Sequence, residues 1–248
     1  MSDFPFPPWI GPGGPLEGQV GAVSTTRAGG ASQGDFAGLN LGDHVGDDAD
    51  VVASNRSALE QQFDLPASPL WLSQVHGADV IEASDWQPGV EADAIIVRAQ
   101  GQCAAILTAD CLPVLFAAED GSVVAAAHAG WRGLAAGVLA YTVQAMAVPP
   151  ADVLAWIGPA ISQPHYEVGD EVRSAFVDQD ELCGHCFQAN ANGRWQADLK
   201  QLAAITLRRA GVWRVADAER CTFGEPDVFY SHRRSAPTGR TATLIWRR

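Results

Sequence analysis

The sequence predicts an α+β fold in which helices cover a large sheet or two stacked sheets. The chain has 248 residues and is 47% hydrophobic, which is enough for one domain with a substantial core. Short apolar runs rich in β-forming residues accumulate between about residues 70 and 128. Helical patterns flank this region on both sides, an order that favours helices packed on a sheet.

The N-terminal part of the chain is predicted to be an arm followed by a strand. Residues 1–18 are rich in Pro and Gly, and we expect an irregular arm before a single catalytic domain at residues 19–248. Residues 20–26 alternate weakly and form a predicted strand, which delivers Arg27 to a Gly-rich loop. Taken alone, Arg27 is most simply a solvated surface charge.

A loop and a helix come next. Asn40 and His44 lie in a segment rich in Gly and Asp, which ends where an apolar pattern begins. That pattern predicts a helix over residues 49–63 with Asp47 or Asp48 as its N-cap, and Arg56 lies on this helix.

The rest of the chain contains nine further predicted strands and three further predicted helices. Strands are predicted at residues 71–76, 80–81, 93–97, 103–107, 112–118, 122–127, 153–157, 213–215 and 241–246. Helices are predicted at residues 134–147, 168–177 and 198–210.

The strands at 112–118 and 122–127 flank the turn signal Glu-Asp-Gly and predict a hairpin. Asp110 and Cys111 precede the first strand, and His128 ends the second. Antiparallel pairing brings these outer ends together, so a thiol and an imidazole come within ligand reach. His76 stands at the end of another predicted strand. Each of these side chains alone is most simply a core residue.

Jointly, His76, Cys111 and His128 form a donor set that suits catalytic zinc, with two imidazoles, one thiolate and an open position for water. Asp110 is expected to orient a ligand or to accept a proton from that water. The glycine-rich turn at 130–133, which contains Arg132, predicts backbone N–H groups that face an anion.

A pair of cysteines and a group of three arginines can each be interpreted as a functional site or as ordinary surface residues. Cys183 and Cys186 form a Cys-x-x-Cys motif, which is either a redox pair, half a zinc site or two incidental thiols on a loop. Arg233, Arg234 and Arg240 form either an anion site or a solvated loop.

Composition excludes several classes of function. A net charge of −13 disfavours nucleic acid and anionic membranes as partners. Lys200 is the only lysine, which argues against Schiff-base chemistry. Five cysteines, an N-terminus without a signal-peptide pattern and the absence of a long apolar run predict a cytoplasmic protein with reduced thiols.

Four blocks of sequence resemble one known family. These are SQVHG at 73–77, TADCLPV at 108–114, AHAGWRG at 127–133 and IGPAI at 157–161. In this order they resemble the YfiH-type family of purine nucleoside phosphorylases, formerly described as multicopper polyphenol oxidases or laccase-domain proteins. The resemblance runs from about residue 9 to the end. The chain departs from the family pattern at His232 and Ser235, where a tyrosine and an aspartate are usual.

The resemblance implies a layered α/β/β/α sandwich of the cysteine-hydrolase-like type. It also implies that His76, Cys111 and His128 bind Zn²⁺, with Cu²⁺ possible, and that Asp110, Cys111 and His128 are catalytic. Substrate contacts are expected from the side chains of Arg27, Asn40, Arg56, Gln74 and Arg132. The implied activities are phosphorolysis of adenosine, inosine and S-methyl-5′-thioadenosine, and deamination of adenosine, by a monomer or homodimer.

Other functions stay open at the level of sequence. One is an amidase that edits peptidoglycan precursors, with either zinc or a Cys111–His128 pair attacking the amide. A copper-dependent polyphenol oxidase ranks lower, because six histidines without a His-x-His pair are few for several coppers. A non-catalytic module that binds nucleosides or metal is the last alternative.

Overall fold

The computed structural model describes residues 4–11 and 13–248. Its α-helices are α1 (Ala49–Gln62), α2 (Trp131–Ala136), α3 (Val138–Ala145), α4 (Asp170–Val177) and α5 (Leu199–Arg209). Its strands are β1 (Val20–Ser24), β2 (Leu70–Trp71), β3 (Val80–Glu82), β4 (Ala94–Val97), β5 (Cys103–Thr108), β6 (Leu112–Ala118), β7 (Val124–Ala129), β8 (Val153–Ile157), β9 (Glu167–Val168), β10 (Phe187–Ala189), β11 (Trp195–Ala197), β12 (Arg214–Asp217) and β13 (Thr241–Arg247).

The strands form three sheets. The largest has the order β12-β8-β6-β7-β4-β3, a second has the order β1-β13-β5-β2, and a small third sheet has the order β10-β11-β9. The hairpin β6-β7 lies at the centre of the largest sheet and has the predicted antiparallel pairing. Mixed α/β structure with stacked sheets is therefore what the chain adopts.

Side-chain alternation explains why the two larger sheets stack. Along β4, Ile95 and Val97 pack into a core between the sheets, whereas Ala94 and Ile96 pack into a core beneath the helices. Strand β5 turns Ile106 toward the same inter-sheet core. Because successive strand residues face opposite sides, a run that is apolar at every position buries both faces of its sheet.

Three predicted elements differ from the observed ones. The helix predicted at 134–147 is two helices, because Gly137 adopts φ = 96° and ends α2. The strand predicted at 71–76 shrinks to β2, and His76 lies in a loop. The second hairpin strand begins and ends two residues later than predicted, at Val124–Ala129, and His128 lies near its end, opposite Pro113.

The helix caps follow the sequence more closely. Asp48, one of the two predicted N-caps of α1, accepts hydrogen bonds from the backbone N–H groups of Asp50 and Val51.

Cys183 and Cys186 lie in a short 3₁₀ helix, Glu181–Cys186, rather than in the predicted loop.

The predicted N-terminal arm contains a 3₁₀ turn at Pro8–Ile10, and residues 1–3 and 12 lie outside the described part. Trp9 and Leu16 are buried in the inter-sheet core, so the arm is anchored there. The division into arm and catalytic domain stays a prediction. No helix within 4–11 and 13–248 combines the length and apolar character needed to cross a membrane.

Candidate metal centre

Three donor side chains meet at one end of the central hairpin. The ligand atoms of His76, Cys111 and His128 all lie within 4.8 Å of one another. Sγ of Cys111 is 4.0 Å from Nε2 of His76. The two imidazole rings meet edge to face, with centroids 4.7 Å apart. The predicted grouping of these three residues is therefore present in the structure.

The hairpin and one loop produce this grouping. Cys111 immediately precedes β6, and His128 lies in β7 near the end of the same antiparallel pair. His76 comes from the loop after β2 and is in the left-handed region at φ = 60°. Asp110, next to Cys111, has φ = 95°. Left-handed backbone at residues other than glycine is strained and is concentrated at functional sites.

Asp93 holds this strained arrangement in place and was not foreseen from the sequence. Its fully buried carboxylate accepts hydrogen bonds from the backbone N–H groups of Val75, His76 and Gly77. The same carboxylate lies 2.7 Å from Nδ1 of His128. A carboxylate on one ring nitrogen orients the other nitrogen toward a metal. The sequence did place an aspartate at the start of a buried strand, and a buried carboxylate needs hydrogen-bond partners.

Gly130 leaves the space in which two of the donors meet. A Cβ at this position would lie 2.8 Å from Cδ2 of His76 and 3.1 Å from Sγ of Cys111. At Gly133 a Cβ would lie 2.6 Å from the carbonyl oxygen of Gly77. These glycines therefore allow the start of α2 to pack against the His76 loop.

In the metal-free protein, the negative charge of Cys111 and the positive charge of His128 stabilise each other. Burial acts to raise the pKa of the Cys111 thiol, but hydrogen bonds and charge from His128 and His76 lower it to about 6. Burial acts to lower the pKa of His128, whereas Asp93 and Cys111 raise it to about 9. The favoured pair near neutral pH is a thiolate beside an imidazolium.

The donor set fits a small ion with little adjustment. Ligand atoms of a tetrahedral zinc site lie roughly 3.4–3.6 Å apart, since each is about 2.0–2.3 Å from the ion. The separation of 4.0 Å between Cys111 and His76 is wider, and all three separations are within 4.8 Å, so the donors would have to move closer together around an ion. His76 is exposed, so its ring has room to close this gap. Two imidazoles and a thiolate also suit copper.

The donors open onto a cavity of about 350 Å³. Its remaining walls come from distant parts of the chain, namely His44, Gln74, Leu107, Thr108, Ala109, Asp110, Ile161, Tyr166, His232, Arg233 and Arg240. A neighbouring cavity of about 480 Å³ shares His44, Gln74 and Leu107 with it.

Two of the predicted substrate contacts border these cavities. Gln74 lines both, although its side-chain amide is bound to the backbone N–H and C=O of Leu107. Arg56 lines the neighbouring cavity, where it stacks over Trp71 and pairs with Asp43 at 3.2 Å.

The other three predicted contacts lie outside the cavity lining. Arg27 donates to the carbonyl oxygens of Pro226 and Ala37. Asn40 is buried and bonded to backbone groups, including the N–H of Arg240. Arg132 is exposed, with its guanidinium over the ring of Trp131. Their roles in substrate binding stay predictions.

Asp110 lines the cavity but is held by three hydrogen bonds. Its carboxylate accepts from the hydroxyls of Thr222 and Ser231 and from the backbone N–H of Arg233. These bonds tie the segment around Arg233 to the donor cluster. A catalytic role for Asp110 stays a prediction.

The multi-copper polyphenol oxidoreductase laccase family matches the chain over residues 21–248. The chain belongs to this family. Within the family, purine nucleoside phosphorylase PA4543 of Pseudomonas aeruginosa is 48% identical over 239 residues, which cover 96% of this chain and 98% of the relative. Purine nucleoside phosphorylase YfiH of Escherichia coli is 44% identical over 247 residues, 99% of each chain. The predicted YfiH-type resemblance is thereby confirmed.

Solved structures support the family's fold for this chain. The Neisseria meningitidis protein NMB0706 matches with a TM-score of 0.92 at 43% identity, covering 99% of each chain. YlmD of Geobacillus stearothermophilus matches with a TM-score of 0.87 at 34% identity, covering 94% of this chain and 93% of YlmD. The mixed α/β architecture is confirmed, whereas the cysteine-hydrolase-like layering stays a prediction.

Proposed function

We propose that the chain is a metal-dependent purine nucleoside phosphorylase acting on adenosine, inosine and S-methyl-5′-thioadenosine. The observation that carries this proposal is the His76, Cys111 and His128 cluster on the wall of a cavity of about 350 Å³. This volume is within the range of small-molecule sites. The names of the two relatives agree with the activity. Cytoplasmic location and a monomer or homodimer stay predictions.

In this proposal the three donors hold Zn²⁺, and Cu²⁺ is the alternative ion. Bound zinc supplies Lewis-acid chemistry and lowers the pKa of a water ligand to about 7. Asp93 fixes the ring of His128, and Gly130 leaves room for His76 and Cys111. Within the described residues this is the one group of three His, Cys, Asp or Glu side chains suited to a metal. Polyphenol oxidation requires several coppers and keeps its low rank.

Phosphorolysis requires two reactants to be held together in the cavity. A phosphate oxygen attacks C1′ of the ribose, and the C1′–N bond breaks with its electron pair going to the base. The proton lost from phosphate balances the proton that the base nitrogen takes up. The protein orients the two reactants and limits the access of water, and such orientation lowers the activation barrier. Deamination of adenosine instead adds water at C6 and releases ammonia.

Product analysis of purified protein tests the proposal. Each of the three nucleosides is incubated with and without phosphate, and free base, inosine and ammonia are measured. We expect release of free base that depends on phosphate, is lost on chelation and returns when zinc is added. Cys111→Ala should lower this rate by more than about 100-fold, beyond the loss typical of an outer-shell partner. Intact nucleosides under all conditions would contradict the proposal.

One observation favours a second candidate, a cysteine amidase acting on peptidoglycan precursors. Cys111 and His128 interact, and Asp93 orients His128, which is the nucleophile, base and orienting group of a cysteine hydrolase. The thiolate would attack the amide carbonyl, the C–N bond would break with a proton passing to the amine, and water would hydrolyse the thioester. Activity on such amides that survives chelation would favour this candidate over the metal-dependent one.

A further inference from the structure

Two arginines in the cavity wall have no carboxylate partner. Arg233 and Arg240 both line the cavity that contains the donor cluster. Within residues 4–11 and 13–248, neither guanidinium has a carboxylate oxygen within 4.0 Å. Arg240 is half-buried and Arg233 is exposed, so both guanidinium groups are accessible to a ligand in the cavity.

The hydrogen bonds of both side chains leave the same edge of the guanidinium free. Nη1 of Arg233 donates to the carbonyl oxygen of Glu167 at 2.7 Å. Nη1 of Arg240 donates to the carbonyl oxygens of Thr238 and Gly239. Over the described chain, Nε and Nη2 of both arginines have no protein acceptor. The Nε–Nη2 edge is the one that binds two oxygens of a phosphate or carboxylate at once.

Both arginines are held in place through their backbones. The N–H of Arg233 donates to the carboxylate of Asp110 at 2.7 Å, and Asp110 is adjacent to Cys111. The N–H of Arg240 donates to the side chain of Asn40 at 2.9 Å. Asp110 and Asn40 therefore act as positioning residues for the two cations, whatever further role Asp110 has.

A third residue of the cavity wall, Thr108, has a shielded hydroxyl without a partner among the described residues. Thr108 lines the cavity and is 2% exposed, and its Oγ1 has no hydrogen-bond partner in the described structure. Thr108 pairs with Thr241, the residue after Arg240, across β5 and β13. A buried hydroxyl without a partner is unfavourable, so a ligand acceptor that reaches Oγ1 would offset this cost.

We propose that Arg233, Arg240 and the hydroxyl of Thr108 form the phosphate site of the cavity, beside the candidate metal ligands. The choice of phosphate as ligand rests on the proposed phosphorylase function, whereas the binding of a tetrahedral anion rests on the geometry alone. This assignment replaces the expected anion site at the 130–133 turn, because that turn packs against the His76 loop and does not line the cavity. Burial lowers the pKa of Arg240, although the nearby charges of Cys111 and Asp110 act to raise it.

Titration with inorganic phosphate tests the site without requiring turnover. Phosphate binding is measured by calorimetry on the purified protein of known metal content, for the natural chain, Arg233→Gln, Arg240→Gln and Thr108→Val. Each arginine variant should weaken phosphate binding by about 10- to 100-fold, and Thr108→Val by a smaller factor. Arg208→Gln is the matched control, since it removes the same charge from an exposed position of α5 and should leave binding unchanged. Arg240→Lys retains the charge without the forked edge and should give an intermediate loss, which keeps the test usable if Arg240→Gln fails to fold.

The outcomes separate this proposal from the proposed function. Phosphate affinity in the Arg233 and Arg240 variants equal to that of Arg208→Gln would overturn the site, and so would a natural chain that does not bind phosphate. Phosphate binding that depends on both arginines, in a protein that leaves nucleosides intact, would support the anion site while removing the phosphorylase proposal. With phosphorolysis active, the arginine variants should raise KM for phosphate more than KM for the nucleoside.

Discussion

Two cysteine-containing regions of the molecule differ in what surrounds the sulfur. Cys111 lies against two imidazoles, which lower its pKa to about 6 despite burial. Cys183 and Cys186 lie in a 3₁₀ helix, where burial raises the pKa of both thiols and brings that of Cys186 to about 12. Burial therefore disfavours the thiolates of the Cys-x-x-Cys motif, whereas the imidazoles around Cys111 favour its thiolate. Neighbouring groups, rather than sequence spacing, make a thiol a ligand or nucleophile.

The largest expected difference between the two regions is in thiol alkylation. In metal-free protein at pH 7, iodoacetamide should modify Cys111 about 100-fold or more faster than Cys186, because a much larger thiolate fraction outweighs its lower intrinsic nucleophilicity. The rate at Cys111 should rise with pH through about 6 and then level off, since the thiolate is complete above that pKa. The rate at Cys186 should still be rising at pH 10.

Peptide mass spectrometry measures both rates in one sample. Loading with zinc provides the control, since a bound thiolate at Cys111 should be protected while Cys186 is unchanged. Equal rates at the two cysteines, or a rate at Cys111 that rises only near pH 8.5, would contradict the prediction that neighbouring groups lower the pKa of Cys111.

The sequence was enough to predict that Cys111 and His128 lie close together, but not that Asp93 holds them in place. The turn at 119–121 and the two apolar runs identify the hairpin, and antiparallel pairing alone brings Cys111 toward His128. Asp93 was missed because its carboxylate serves a loop 16 to 18 residues before it and a strand 35 residues after it. Contacts of this kind depend on how sheets assemble, which local patterns do not encode.

The same reason explains other features of the structure that local sequence patterns do not indicate. Gly137 was placed inside one helix, because its left-handed conformation follows from packing rather than from the Ala-rich pattern around it. Arg240 lies just before β13 and lines the cavity, and its backbone is held by Asn40 from the other end of the chain. Arg132 and Arg27 were expected at the substrate because of nearby glycines and sequence blocks, yet neither lines the cavity.

The second prediction concerns one carboxylate in each cysteine region, Asp93 and Asp180, and the effect of its replacement on metal affinity. Asp93→Asn should weaken metal binding by about 10- to 100-fold, since the amide offers only one acceptor oxygen to the His76 loop and His128. Asp180→Asn is the matched variant in the other region, where Asp180 caps the 3₁₀ helix and pairs with Arg209. It should leave metal affinity unchanged. Competition with a chromophoric chelator measures both, and equal metal affinities in the two variants would contradict the role given to Asp93.

The smallest expected effect comes from two glycine substitutions. Gly130→Ala places a methyl group 2.8 Å from the ring of His76 and 3.1 Å from Sγ of Cys111, so it should cost about 1–3 kcal/mol of stability and loosen the metal centre. Gly184→Ala, between Cys183 and Cys186, meets no atom within 4 Å and should change stability by less than about 0.5 kcal/mol. Denaturant unfolding and metal content are measured for both. If Gly130→Ala behaves like Gly184→Ala, the close approach of α2 to the donors is not required, and the tight packing around Cys111 would not distinguish the two cysteine regions.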